Sequence, residues 1–524
     1  MARSDPSRIQ VMDTTLRDGE QTPDIAYSPA EKLQIARMLL SEVEVDRIEV
    51  AGTRVSEGER QATRRITAWA RRSRLLQRVE VLGFCDGRKS VDWITGAGGK
   101  VLNLLTKGSE VHCRKQLGRT PEQHWKDAAN TLEYARKKRV VANVYLEDWS
   151  QGIRHSPDYV FRMMAAILEQ PVKRIYLPDT LGVLSPDEVG NFVRLMVDSW
   201  PGVHFEFHAH NDYGLATANC LAAVRAGARG VHTSVNGMGE RAGNTRLAEV
   251  VAAIHDRTAL RTGVEEERLE AVSRMVETFS GKELAANTPI VGRDVFTHTA
   301  GIHSDGDAKG DLYTTALAPK RFGRKRRYAM GKLSGKASVD HNLKALGIEL
   351  SAQDRDLVLK RVVELGDRKR VVSPEDLPYI IADVLGAPDA TRAQILTYEV
   401  NVASEAAPSA EITVRCGRRR ASARASGNGG YDALMNALRK AMKKLGVALP
   451  RLADFRVRIP PGGRTEALVE TIISWQSSEG DGGSFSTLGV DSDQIAAAVI
   501  ATEKMLNAVV ARNPPGRGSG RKRP

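Results

Sequence analysis

The chain is poor in anything that would cross-link it, anchor it in a bilayer or export it. Only four of its 524 residues are cysteines. Cys85, Cys113, Cys220 and Cys416 stand far apart without a C-x-x-C spacing, which excludes a disulfide framework and a thiolate zinc site and leaves them as reduced core residues. No apolar run approaches the roughly 20 residues that cross a membrane. The start, Met1-Ala2-Arg3-Ser4-Asp5-Pro6, lacks the apolar stretch of a secretory signal. A soluble protein with a cytoplasmic address and no membrane partner is therefore expected. RRM, OB-fold and zinc-finger signatures are missing too, so no nucleic-acid partner is expected despite a basic balance.

What the chain does have is length and positive charge. Its length predicts roughly two or three domains, each with a substantial core. The net charge of +13 raises the question of a polyanionic partner. Part of it lies in the last residues, where Arg517, Arg521, Lys522 and Arg523 meet no acid; 514–524 reads as a disordered basic tail. A second run, Lys320 to Arg327, lies within folded-looking sequence.

Through the first half, apolar β-branched runs alternate with longer segments of helical period, the pattern of βα units feeding a parallel sheet. Eight strands are predicted, near Ile9–Asp13, Arg47–Ala51, Val79–Phe84, Val101–Thr106, Val140–Leu146, Arg174–Leu177, His204–His208 and Gly230–Ser234. Eight such units close naturally into a (β/α)₈ TIM barrel. An open doubly wound sheet would want a Gly-rich phosphate turn after the first strand, and Thr14-Thr15-Leu16-Arg17-Asp18-Gly19 is not one. The predicted organisation is a catalytic barrel over 1–275, linker subdomains over 276–395 that contribute to the active site, and a C-terminal α+β domain over 396–513. That last domain repeats a βββα unit: Tyr398–Val402, Ala410–Cys416, Arg419–Ala425 and helix Tyr431–Leu445, then Asp454–Ile459, Thr465–Trp475, Gly483–Gly489 and helix Ser492–Ala511.

In a TIM barrel the chemistry gathers at the C-terminal ends of the strands, and there the unusual polar residues cluster. Arg17 and Asp18 follow the first strand, Glu147 and Asp148 the fifth, Asp179 and Thr180 the sixth, and His208 and His210 end the seventh. In His208-Ala209-His210 two imidazoles project to one face of a strand and can share an ion. With Asp18 they form a mixed N/O site with open positions, suited to Zn, Mn, Mg or Fe(II). Such a site can take a chelating 2-oxo acid and polarise its carbonyl. Arg17 can donate to the same oxygen as charge develops, or serve as a salt-bridge partner at the barrel mouth. Thr180 can donate to the substrate carboxylate, or cap a helix.

These residues stand in motifs that resemble one family, the acyl-CoA-dependent condensing enzymes that include 2-isopropylmalate, homocitrate and citramalate synthases. The motifs are Leu16-Arg17-Asp18-Gly19-Glu20-Gln21, Pro178-Asp179-Thr180-Leu181-Gly182, His208-Ala209-His210-Asn211-Asp212-Tyr213-Gly214, Asn236-Gly237-Met238-Gly239-Glu240-Arg241-Ala242-Gly243-Asn244 and Ala300-Gly301-Ile302-His303. The resemblance implies that Asp18, His208, His210 and Asn244 ligate the metal and that Arg17 and Thr180 hold the oxo acid. It implies acetyl-CoA as co-substrate, deprotonated at its methyl group so that the enol or enolate attacks the ketone, after which water cleaves the thioester. His303, with Glu147 and Tyr313 in related roles, is the candidate for proton transfer, acting from the other subunit of a homodimer. Part of the Lys320–Arg327 run would meet a coenzyme A phosphate.

The oxo acid's side chain can be argued from three positions. Where isopropylmalate synthases resemble one another in a strand-five Ser and a strand-four His, this chain has Tyr145 and Leu105. With Leu82 they predict a cavity for a single methyl group, hence pyruvate, and citramalate as the product, by resemblance the R isomer. Selection would be steric, by overpacking. 2-Isopropylmalate synthesis is the alternative, and a pyruvate-forming lyase or aldolase a more distant one. By the same resemblance the C-terminal domain is a regulatory, effector-binding one, with isoleucine as effector in a pyruvate route to isoleucine. Backbone N–H groups of Gly427-Asn428-Gly429-Gly430 would receive the effector carboxylate, and Tyr431, Leu452 and Phe455 would line its apolar pocket.

Overall fold

The structure, a computed structural model, describes residues 8–53, 55–310, 312–313, 315–346, 348–367, 372, 376–385, 393–458, 469–476 and 484–512. The basic tail lies outside them, as do Ile459, the first residues of the predicted Thr465–Trp475 strand and Gly483. The chain divides into two compact units, one of Met1–Phe296 with Thr314–Arg326, the other of Thr297–Tyr313 with Arg327–Pro524. Among the described residues no helix is long and apolar enough to cross a membrane.

The first unit is a closed barrel of eight parallel strands in sequence order. They are β1 (Gln10–Asp13), β2 (Arg47–Gly52), β3 (Val79–Phe84), β4 (Val101–Lys107), β5 (Val141–Glu147), β6 (Val172–Asp179), β7 (Phe205–Ala209) and β8 (Gly230–Thr233). Three of the intervening helices begin with one local device. Ser28, Thr120 and Ser185 each accept from the backbone three residues on, where Glu31, Gln123 or Glu188 reciprocates, and a proline opens the first turn. These capping boxes satisfy N–H groups that a helix start otherwise leaves bare.

The strands sort their side chains with period two. Ile48 and Val50, Val79 and Val81, Leu102 and Leu104, Val144 and Leu146, and Phe205 and Phe207 belong to the large core under the helices. Their neighbours point into the barrel. A small separate cluster inside holds Met12, Leu82, Tyr145 and Tyr176, with Leu105 against it. Other inward positions are polar or charged: Arg47, Glu49, Glu80, Asn103, Asn143, Glu206 and His232 are all buried. The barrel interior is therefore a polar network around a small apolar patch, built beneath the mouth where the motifs gather.

In the second unit two short strands, β9 (Thr297–His298) and β10 (Arg327–Tyr328), pair in parallel. A small core forms around Val339, Leu343, Val358 and Val362. The C-terminal part holds two antiparallel three-stranded sheets, β11 (Ala393–Ala403), β12 (Ala406–Cys416) and β13 (Arg419–Ser426), then β14 (Arg451–Arg458), β15 (Val469–Gln476) and β16 (Ser484–Asp491). Helices Gly430–Lys444 and Gln494–Arg512 follow them, and both halves share one core. The βββα repeat is thus present twice. None of the four cysteines forms a disulfide, and Cys85 is the one that is not buried.

Candidate metal centre and its surroundings

Asp18, His208 and His210 are all buried and each offers a ligand atom within 4.8 Å of the others. Asp18 comes from a tight loop in which the Thr14 carbonyl accepts from the N–H groups of Arg17, Asp18 and Gly19. Lys32, wholly buried, clamps that loop by donating to the Leu16 carbonyl at 3.1 Å while pairing with Glu20 and Glu59 at 2.6 and 2.5 Å. His208 and His210 reach the mouth from the end of β7, and His210 is bridged to Asn244. The Asn244 amide is oriented by donation of its Nδ2–H to the Met238 carbonyl at 2.9 Å, which turns Oδ1 the other way. That loop depends on glycine. Gly243 lies at φ +83°, and a Cβ on it would stand 1.9 Å from the Gly237 carbonyl oxygen.

Asp18 Oδ1, Nδ1 of His208, Nδ1 of His210 and Asn244 Oδ1 are all buried without a hydrogen-bond partner. Orphaned buried polar atoms are costly, and side chains that carry them while clustering as Asp18, His208 and His210 do, with His208 Nε2 3.5 Å from Asp18 Oδ2, fit a divalent cation with mixed N/O ligation. The electrostatics agree. Burial pushes the Asp18 carboxyl up, but the Arg17 guanidinium, His208 and His210 outweigh it and hold it well below the usual carboxylate range. Burial drives the His208 and His210 imidazoles down against the pull of Asp18, so both present as neutral ligands.

Arg17 is tied into the barrel mouth by its acidic neighbours. Its Nε donates to Glu49 at 2.5 Å and one Nη to Asp18 at 2.9 Å, so it is a salt-bridge partner at the mouth. Its other Nη approaches the Tyr145 hydroxyl at 3.5 Å. Thr180 is no helix cap, because Ser185 caps the helix that follows. Its Oγ1 instead accepts from the Asp148 N–H at 2.9 Å, leaving the O–H hydrogen to donate. Asp179 ties the loop by accepting from the N–H groups of Val183 and Leu184. Glu147 pairs with the Lys107 ammonium.

Tyr145 is buried with its ring 6.1 Å from that of His208, and Leu82 and Leu105 join it in the inner cluster. In the second unit His303 sits on the short helix Gly301–Ala308, its ring 4.3 Å from that of Tyr313 and 5.8 Å from that of His298. The rings of Tyr431 and Phe455 lie 4.7 Å apart with their planes tilted by 35°, and the Tyr431 hydroxyl lies 2.7 Å from that of Thr502. Leu452, 37% exposed, stands at the edge.

Two expectations are narrowed. The glycine loop before helix Gly430–Lys444 is partly self-satisfied: the Gly427 N–H donates to the Pro408 carbonyl and the Asn428 N–H to Asp432 at 2.9 Å, because an Asp in the first turn reaches back over the loop. The basic run is partly structural as well. Arg321 is held by Glu266 and Asp256, and Arg324 by the carbonyls of Ile290, Gly292 and Arg293.

The reading of the sequence missed Glu49, Glu80, Glu206, Arg47 and His232. The signal was there: a charged residue flanked by apolar ones in a strand, as in Ile48-Glu49-Val50 or Phe205-Glu206-Phe207, points a charge into the barrel when the flanking residues face the helices.

Comparisons with known proteins extend the geometry. The HMGL-like family matches residues 8–276, the homocitrate synthase post-HMGL domain-like family 290–370, and the LeuA allosteric (dimerisation) domain 371–510. A Methanopyrus kandleri protein provisionally named (R)-citramalate synthase is 34% identical over 97% of this chain and 97% of its own. The (R)-citramalate synthase of Methanocaldococcus jannaschii is 32% identical over 89% and 92%. The 2-isopropylmalate synthase of the same organism is 30% identical over 97% and 96%. The chain belongs to the HMGL-like (β/α)₈-barrel family, in its branch of citramalate and 2-isopropylmalate synthases. It is an acyltransferase of the kind that converts the acyl group to alkyl on transfer.

Proposed function

We propose that the chain condenses acetyl-CoA with pyruvate and water to give (R)-citramalate and CoA, working as a homodimer in the pyruvate route to isoleucine. The observation that carries this reading is Tyr145. Its ring lies beside His208 and against Arg17, with the Arg17 guanidinium carbon 5.8 Å from the ring centroid, and it packs in one small apolar cluster with Leu82 and Leu105.

A divalent cation held by Asp18, His208, His210 and Asn244 supplies Lewis acidity toward a chelating 2-oxo acid. Thr180 donates its O–H to the pyruvate carboxylate, and Arg17 donates N–H to the carbonyl oxygen as it becomes an alkoxide. His303, supplied by the other subunit and backed by Tyr313, takes a proton from the methyl group of acetyl-CoA, and the resulting enolate carbon attacks the ketone carbon. Glu147 is the less available base, because Lys107 engages it. Water then adds to the thioester carbonyl and the CoA thiol leaves.

The reading is tested by following CoA thiol release with pyruvate and with 2-oxoisovalerate, with and without a chelator. Pyruvate is expected to be preferred by kcat/KM and the chelator to abolish turnover. A preference for 2-oxoisovalerate would favour the 2-isopropylmalate reading, which the similarity to the Methanocaldococcus jannaschii enzyme of that name keeps in play. Tyr145→Ser is expected to lower the pyruvate preference by about tenfold or more, as one or two added methylenes are worth about 1–3 kcal/mol in a fitting pocket. Removal of a buried ring costs about 3–5 kcal/mol of stability, so the readout is the ratio, which does not depend on how much enzyme is folded.

For the C-terminal domain we propose isoleucine as effector, seated against Tyr431, Leu452 and Phe455. The match to the LeuA allosteric (dimerisation) domain supports a regulatory, dimerising role. Isoleucine is expected to inhibit the intact chain, and inhibition by leucine alone would count against the assignment.

A further inference from the structure

His232 on β8 takes no part in the reaction described above, yet it is 1% exposed in the middle of the barrel. Its Nε2 lies 3.1 Å from Glu206 Oε2 and its Nδ1 3.1 Å from the Tyr145 hydroxyl. Glu206 is held in turn by Arg47 at 2.5 and 2.6 Å, by Arg174 at 3.2 Å and by His204 at 2.8 Å. From the Tyr145 hydroxyl the string continues to an Arg17 Nη at 3.5 Å.

This string has a direction. A carboxylate between guanidinium groups can only accept, so the His232 nitrogen facing Glu206 carries the hydrogen. The other ring nitrogen is then bare and accepts. The Tyr145 O–H must donate to it, and the phenol's lone pair is what meets Arg17. The far end of the Tyr145 side chain is thereby fixed from below, while its ring is held edge-on by Tyr176 at 4.7 Å and by His232 at 5.5 Å.

We propose that His232, fixed in one tautomer by Glu206, is a specificity-determining positioning residue that pins Tyr145 as the wall of the oxo-acid pocket. It acts through Tyr145 and touches no substrate. Without the pin, the phenol is a buried donor lacking an acceptor, and rotating away relieves that cost while opening the pocket to a larger side chain. The inference rests on the pocket reading given under Proposed function and adds the group that holds the wall in place.

The test is a double-mutant cycle read on the ratio of kcat/KM for pyruvate to that for 2-oxoisovalerate. His232→Phe keeps an aromatic ring and removes both nitrogens; Tyr145→Phe removes only the hydroxyl. Each single variant is expected to lower the ratio about tenfold, the scale of one buried hydrogen bond, and the double variant no further than either. His232→Asn, whose Oδ1 takes the place of Nδ1, is expected to stay within about threefold of the parent, and bound metal per chain to be unchanged throughout. An unchanged ratio in His232→Phe, or an equal drop in the Tyr145→Phe background, would overturn the proposal. Should His232→Phe fail to fold, Tyr145→Phe decides alone, because an unchanged ratio there removes the pin. A parent enzyme that prefers 2-oxoisovalerate would sink the pyruvate reading only; the coupling between the two substitutions would still report whether His232 acts through Tyr145.

Discussion

Asp18→Asn is expected to cut CoA release by about 10²–10³-fold and to leave the protein with little bound metal after dialysis. The substitution keeps the shape of the side chain and removes its charge. Asp18 is the only carboxylate among the four donors, and its Oδ1 is buried without a hydrogen-bond partner. An amide there offers a weaker ligand and deprives Arg17 of the partner at 2.9 Å that aims one Nη group. Metal per chain by atomic spectroscopy, with thiol release measured across a metal titration, checks both consequences. Full activity in metal-stripped Asp18→Asn protein would refute the assignment of the centre.

The same residues set a pH dependence for the metal-free protein. His208 and His210 are held below the ordinary imidazole value chiefly by burial. Below pH about 6.5 the unfolded chain therefore takes up protons that the folded chain refuses, and linkage makes stability fall as pH falls. Asp18, held low, works in the same sense at more acid pH: its contribution is present above the unfolded carboxylate value and is lost as pH drops through the folded one. Chelated protein should thus melt at a lower temperature at pH 5.5 than at pH 7.5. Metal-loaded protein should melt higher at both pH values yet lose at least as much over that interval, because bound metal keeps both imidazoles unprotonated in the folded state and its affinity falls as protons compete for them.

How much of this could be read in the chain differs from layer to layer. The barrel strands could, because each is a short apolar run followed by a segment of helical period, and three of the helix starts are marked by Ser28-Pro29, Thr120-Pro121 and Ser185-Pro186. The convergence of Asp18, His208 and His210 could too, since two imidazoles at spacing two on a strand leave little freedom. The fate of individual polar groups could not. Whether Thr180 caps a helix or receives the Asp148 N–H depends on how two loops meet, and whether Arg324 meets solvent or three carbonyls depends on the path of residues 290–293. The Gly427–Gly430 loop looked open for the same reason, the reach of Asp432 back over it being a detail of one turn. The polar interior was hidden because each of its members is a lone charge in an apolar strand, and its meaning emerges only when β2, β3, β7 and β8 close around a common axis.

That interior carries the largest stability effect expected in the barrel. Arg47 donates to both oxygens of Glu206, to Glu80 at 3.2 Å and to the Tyr176 hydroxyl at 2.9 Å. Arg47→Met should cost about 3–5 kcal/mol, the price of leaving buried carboxylates without their counter-ion, and lower Tm by on the order of 10 °C. Glu206 retains Arg174, His204 and His232, but among the described residues Glu80 keeps only the Tyr176 hydroxyl at 3.0 Å, so the damage should centre on Glu80. Adding Glu80→Gln to Arg47→Met removes that stranded charge and should recover a good part of the loss, whereas Glu206→Gln should recover less. Chemical denaturation of the four variants decides the order. Equal rescue by either substitution would mean that Glu206 depends on Arg47 as heavily as Glu80 does, despite its three remaining donors. A barrel whose strand ends carry the chemistry keeps its stability devices at the opposite end, and here the two ends are joined: Glu206 also holds His232, so Arg47→Met should loosen Tyr145 and lower the pyruvate preference while leaving the metal donors in place.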